Sequence, residues 1–320
     1  MPADGQTLDE AAERVLGFLQ QAGAPKVHEL PVDQARAVFE AMAPQLDMPK
    51  AEMARVEDRS FTGPAGDRRV RIYRPRAGMA DAPLILFYHG GGWVIGSIET
   101  HDGVCRRLAR AADAVVASVD YRLAPEHPFP AAVEDALAAL AWAKDAAAGL
   151  GADPGSILVA GDSAGGNLAA VAALAARDDA ALPDLAGQLL FYPAVDMVGE
   201  YESRRRFAEG YFLEQATMLW FVDKYAPDAA QRADWRASPL RAPDHRGLPP
   251  AYVLTAGFDP LWSEGQAYAR RLAAAGVPVR LADRPGLIHG FLNMGALIPA
   301  AAETLDEAGA WVRETCAARG

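Results

Sequence analysis

A serine, a histidine and a carboxylate can together attack a carbonyl group when they meet at one point, and this chain offers candidates for each. Ser163 sits in GDSAGGN (161–167), directly after the apolar run SILVA (156–160). A neutral hydroxyl is a weak nucleophile until a histidine takes its proton. A buried carboxylate then fixes the tautomer of that imidazole and stabilises its charged form. The pentad Gly-x-Ser-x-Gly alone fits an ordinary serine in a glycine-rich corner equally well. Its setting is more informative: a strand-like run before it and a helix-like run after it are the surroundings of a nucleophile on a tight turn. Gly161 and Gly165 would let the backbone pass close to its neighbours there.

The partners fall after strand-like runs too, where ligands bind in a parallel sheet. Asp259, in TAGFDPLWSEG, follows the run 251–256, and His289, in PGLIHGF, follows the run 277–282. The order Ser163, Asp259, His289 is that of nucleophile, acid and base in this kind of sheet. Asp283, at a strand end, and Glu264, near Asp259, compete as the acid; the strand-end position favours Asp259. HGGGW (89–93) follows LILFY (84–88). Three adjacent glycines leave backbone N–H groups free to stabilise a tetrahedral oxyanion, where losing one donor costs about 3–4 kcal/mol. A plain turn rarely needs three. His28, His245, His127 and the pair His101–Asp102 read as structural or solvated, with Asp102 an anion in a first helical turn. No histidine pair has metal-ligand spacing, so neither a metal nor a cofactor is expected.

The elements that must carry these residues alternate. Apolar runs at 84–88, 114–119, 156–160, 187–192, 251–256 and 277–282 are separated by helical stretches near 101–112, 130–148, 164–177 and 262–275, with a last one at 301–318. Continuous apolar strands between helices predict a mostly parallel sheet covered on both faces. Residues 55–61 and 68–75 alternate like a hairpin around Gly63, Pro64 and Gly66. Ahead of them lies a helical preface. Its first helix, 7–20, has Thr7 and Glu10 spaced as a capping box, and its second, 33–42, is expected to stop at Pro44. Between 193 and 250 runs a polar and aromatic connection with its own helix near 214–225.

Bulk properties exclude several partners. The 320 residues are 51% hydrophobic, enough for a large core, and the net charge is −11. That charge opposes nucleic acid or an anionic membrane surface. The N-terminus lacks a basic region followed by an apolar stretch, and no apolar run approaches a membrane span. Two cysteines, Cys105 and Cys316, are too few for a disulfide framework, so a cytoplasmic, reduced protein is expected.

From about residue 55 to its end the chain resembles the bacterial carboxylesterases similar to hormone-sensitive lipase, an α/β-hydrolase group, in its GDSAGG branch. The resemblance is carried by HGGGW (89–93), YRLAPEHPFPAA (121–132), GDSAGGN (161–167), YP (192–193), DPL (259–261) and HGF (289–291). It implies an eight-stranded, mostly parallel sheet, and Ser163 as nucleophile, Asp259 as acid and His289 as base. It also implies an oxyanion hole from the N–H groups of Gly91, Gly92 and Ala164, with Asp162 bracing the turn. Where the family usually has Asp in DPLxDEG this chain has Ser263, which touches support of the loop rather than the triad and is expected to cap the helix. The implied division is 1–50 and 196–236 as two parts of a helical cap, over a core made of 51–195 and 237–320. Trp93, Asp162, Tyr211, Phe212, Leu213 and Ile288 are the expected pocket residues. The reading is a serine carboxylesterase for short- to medium-chain acyl esters, its partner a small-molecule ester. An amidase, deacetylase or lactone or carbamate hydrolase shares the same machinery, and a non-catalytic hormone-receptor-like protein would be expected to lack a triad member. An edge strand at 277–282 makes a homodimer plausible.

Overall fold

The structure, a computed structural model, describes residues 6–23 and 25–319. Eight strands form one sheet: β1 (Arg55–Gly63), β2 (Gly66–Arg74), β3 (Ala82–Tyr88), β4 (Val115–Val119), β5 (Ala152–Asp162), β6 (Leu185–Phe191), β7 (Ala251–Phe258) and β8 (Val279–Ile288). Their order is β1-β2-β4-β3-β5-β6-β7-β8. β1–β2 and β2–β4 pair antiparallel and every other pair is parallel. This is the eight-stranded, mostly parallel sheet that the resemblance implies.

The helices are α1 (Glu10–Ala22), α2 (Val32–Leu46), α3 (Asp102–Ala112), α4 (Ala131–Ala146), α5 (Ala164–Asp178), α6 (Glu202–Arg206), α7 (Gln215–Tyr225), α8 (Ala229–Ala233), α9 (Trp262–Ala274) and α10 (Ala300–Ala317). Because successive strand residues point to opposite faces, each central strand must be apolar throughout if helices cover both sides. Leu84 and Leu86 of β3 join Val159, Val253, Leu140, Leu168 and Leu272 in one core, beneath α4, α5 and α9. Ile85 and Phe87 join Leu158, Leu189, Leu254, Leu108 and Leu305 in the other, beneath α3 and α10.

The preface departs from expectation at two helix ends. Asp9, not Thr7, caps α1: its Oδ1 accepts the N–H groups of Ala11 and Ala12 at 2.8 and 3.2 Å. α2 runs through Pro44 to Leu46 rather than stopping there. Proline in a last turn forfeits a single hydrogen bond, and the buried Ala43 and Leu46 keep that turn packed. β8 also outruns its expected 277–282, because its pairing with β7 continues to Ile288 against Phe258.

The long connection supplies α6, α7 and α8 and lies against the preface. Lys26 pairs with Glu214 at 2.8 Å, and His28 Nδ1 is 2.8 Å from Thr217 Oγ1. The preface is also tied to the sheet, Asp9 N–H donating to Gly286 O at 2.9 Å and the Gln6 amide to Pro285 O.

Candidate active site

β3, β5, β7 and β8 all end at the same edge of the sheet, and the next residues on are His89, Ser163, Asp259 and His289. Residues 126 positions apart therefore become neighbours. His289 Nε2 lies 3.0 Å from Ser163 Oγ, and His289 Nδ1 lies 2.7 Å from Asp259 Oδ2. The other carboxylate oxygen of Asp259 accepts Leu261 N–H at 2.7 Å, which fixes the plane of the acid. The Tyr192 ring packs 4.8 Å from the His289 ring and holds it from one side.

Ser163 sits on the turn between β5 and α5 with φ 54° and ψ −116°. That is a costly backbone state for a side-chain-bearing residue, of order 1–3 kcal/mol. Its neighbours over-determine it: Ser163 N–H donates to Phe191 O at 2.9 Å, and Ser163 O accepts from Asn167 and Ala194 N–H. The turn closes because a Cβ at Gly161 would run into Gly165 and one at Gly165 into Tyr88 O.

The glycine loop after β3 is gripped along its edges. His89 O accepts the Tyr121 hydroxyl at 2.7 Å, Gly91 O accepts Val94 and Ile95 N–H, and Trp93 O accepts Ala124 N–H. Gly91 and Gly92 adopt φ of 117° and 59°, and a Cβ on Gly92 would meet the Phe221 ring. Among the described residues, no acceptor pairs with the N–H groups of Gly91, Gly92 or Ala164. Asp162 joins the two halves, its Oδ1 accepting Gly90 N–H at 2.8 Å.

A cavity of about 1080 Å³ opens over these groups. Trp93, Asp162, Tyr211, Phe212 and Leu213 line it as expected, alongside residues of α1, α2 and α7. Ile288 does not. As the last strand residue it points away from His289 and is fully buried in the core beneath. The competing acids are engaged elsewhere. Glu264 pairs with Arg204 and accepts Val195 N–H at 2.8 Å, and burial raises its carboxyl above the ordinary range despite that partner. Asp283 accepts from Thr255 and Trp262. Ser263 is not the cap of α9, which opens at Trp262 without a side-chain cap; its N–H is taken by Ser203 Oγ at 3.1 Å.

Residues 85–293 match the family described by the alpha/beta hydrolase fold. The chain belongs to that family. This hydrolase is 45% identical over 305 residues to a carboxylic ester hydrolase (LipN) of Mycobacterium tuberculosis, covering 91% of this chain and 78% of that one. It is 42% identical to an ethyl acetate hydrolase of Pseudomonas putida, covering 87% and 89% of the two chains. An ester hydrolase from the Lake Arreo metagenome, solved with a bipyridine phosphonate derivative, superimposes with a TM-score of 0.93 at 44% identity, covering 96% and 99%.

Two residues of the hydrolase that its motifs did not single out also support the loops around the site. Arg36 of α2 donates to Val94 O at 2.8 Å and Ala124 O at 2.9 Å, and pairs with Glu126. It links the preface to the glycine loop, and nothing local in a helix such as DQARAVFEAM foretells that reach. His101 is the other. It is 1% exposed, so the solvated reading does not apply, and it stands 3.1 Å from Asp162.

Proposed function

We propose that this hydrolase is a serine carboxylesterase for short- to medium-chain acyl esters. The relay Asp259–His289–Ser163, at hydrogen-bond distance throughout and opening on a largely apolar cavity, is the observation that supports it. His289 Nε2 takes the Ser163 proton as Oγ attacks the ester carbonyl carbon. The carbonyl oxygen becomes an oxyanion facing the N–H groups of Gly91, Gly92 and Ala164, which are preorganised and unpaired. The tetrahedral species collapses, the C–O bond to the alcohol breaks, and the His289 proton leaves with the alcohol. Water then attacks the acyl-enzyme by the same route and releases the acid. Asp259 holds the Nδ1–H tautomer and stabilises the imidazolium.

The preface and α6–α8 form the cap in this reading, since their side chains line the cavity around Ser163. Among the described residues no helix is long and apolar enough to cross a membrane. Cys105 and Cys316 are free thiols, which supports a cytoplasmic setting. The exposed edge β8 is the surface of a homodimer, read out as mass in solution.

Turnover of chromogenic esters from acetate to palmitate, with Ser163→Ala alongside, tests the reading. The expected result is turnover concentrated on the shorter chains and abolished in the variant. Equal activity in the variant would place the site elsewhere. Folded protein inert on every ester would move the substrate to amides, lactones or carbamates.

A further inference from the structure

His101 closes the short helical turn Glu99–His101 before α3 and lies under the glycine loop, outside the relay. Each of its two ring nitrogens faces an acceptor. Thr100 Oγ1 lies 2.8 Å from Nδ1, and the Thr100 hydroxyl proton already goes to Ser97 O at 2.9 Å, so the oxygen accepts from Nδ1–H. Nε2 faces Asp162 Oδ1 at 3.1 Å, a carboxylate oxygen that can only accept; Gly90 N–H also lies 3.3 Å from Nε2, but its shorter bond, 2.8 Å, goes to that same oxygen. An imidazole donating from both nitrogens is an imidazolium.

The other charged groups around it do not compete for that role. The His89 ring, 5.6 Å away, is neutral, its titration pushed down to about 3 by burial and by the charge on His101. Asp47, at the end of α2, takes Gly103 N–H. Asp102 is held by Arg106, Lys50 and Tyr73. Asp162 is thus the counter-ion of His101. Although burial opposes ionisation of both, the pair raises His101 above its ordinary value and holds Asp162 below its own.

Three chain segments meet at this pair. Asp162 directly precedes Ser163; Gly90, whose N–H donates to Asp162, directly precedes Gly91; and the side-chain amide of Asn293, from the loop that carries His289, lies 3.3 Å from His101 Nε2 and, turned end for end, presents its otherwise unpaired Oδ1 to the Nε2 proton. We infer that His101 is a positioning residue: as a buried imidazolium it keeps Asp162 ionised, and Asp162 keeps the Gly91 and Gly92 amides in register with Ser163 and Ala164. A carboxylate buried to this degree without a cation would protonate or draw in water, and Gly90 would exchange a charged acceptor for a weaker neutral one. The inference rests on the reading of those three amides as oxyanion donors.

The test uses full-length protein and a small p-nitrophenyl alkylphosphonate. Ser163 Oγ bonds to phosphorus, p-nitrophenolate leaves, the serine proton passes to His289, and the phosphonyl oxygen occupies the oxyanion site. The rate is normalised to the fraction of protein labelled at Ser163, so that loss of folded protein does not register as loss of rate. His101→Phe should lower the rate per site about 100-fold, the scale of losing one oxyanion donor, and lower kcat on esters while KM moves less than about threefold. His101→Gln keeps an N–H for Asp162 without the charge and should fall between Phe and wild type. The wild-type rate should also decline at alkaline pH as His101 loses its proton, and His101→Gln should lack that decline. A rate per site within about twofold of wild type in either variant, or the same alkaline decline in His101→Gln, overturns the inference. If His101→Phe does not fold, His101→Gln decides by the same criteria. Labelling without ester turnover in the wild type would overturn the esterase reading and leave this comparison intact.

Discussion

Ser163 is held at φ 54° by hydrogen bonds with three neighbours, and the chemistry proposed for it depends on one imidazole being in the right tautomer. Asp259 supplies that choice, with one oxygen on His289 Nδ1 and the other on Leu261 N–H. Asp259→Asn keeps the shape but presents an amide that can donate to Nδ1, favouring the tautomer with the proton on Nε2, which cannot accept from Ser163. Its kcat on a short acyl ester should fall by about 10⁴ with little change in KM, while the thermal midpoint stays near wild type; steady-state kinetics beside a melting curve check both. Asp283 and Glu264 have no path to His289, so Asp283→Asn should leave kcat in the wild-type range. At this scale the sequence was legible for a simple reason: each relay residue directly follows a strand, and parallel strands bring their ends to one edge. Ile288 shows the limit. It neighbours His289 in sequence, but side chains alternate across the sheet, and the alternation put it in the core.

Among the elements, the start of α3 does more than open a helix. Asp102 is 3% exposed and collects Lys50 from the end of the preface, Arg106 from the next turn and the Tyr73 hydroxyl from β2. Burial would raise its carboxyl, yet these hydrogen bonds outweigh burial and hold it below the ordinary carboxylate value. A folded value below the unfolded one contributes stability that is present above about pH 4 and is lost as pH falls through the depressed folded value. Asp102→Asn should therefore lower the urea unfolding free energy at pH 7 by about 3 kcal/mol, and the gap to wild type should narrow as pH is taken below 4. A gap independent of pH would mean that packing, not charge, holds this helix end. The sequence marked Asp102 as a first-turn anion; Arg106 is a helical i,i+4 neighbour, but its other two partners come from 52 and 29 residues upstream, distances that periodicity cannot read.

At the scale of the whole molecule the preface and the connection between β6 and β7 meet over the site. They touch through Lys26–Glu214 and His28–Thr217, and α1 and α2 furnish part of the cavity wall. Arg36 adds a direct link from α2 to the carbonyl groups of Val94 and Ala124 beside the glycine loop. Deleting residues 1–45 should therefore flatten the acyl chain-length preference and lower kcat/KM on every chain, because the cavity loses a wall and the loop loses a clamp. A soluble truncation with the full-length profile would remove the preface from the pocket.

The sequence by itself determined the sheet, the order of the relay and the glycine loop. Each is encoded locally, by an apolar run long enough for a strand buried on both faces, or by glycines that alone fit a left-handed or crowded backbone. It also marked the aromatic connection between 193 and 250, from which Tyr211, Phe212 and Leu213 reach the cavity. Only the tertiary structure decided which polar side chains serve one another: that Asp259 and not Glu264 faces His289, that Arg36 grips the glycine loop, and that His101 pairs with Asp162 beneath it. A buried charge takes its partner from whatever element packs against it, and that adjacency comes from the winding of the chain rather than from spacing along it.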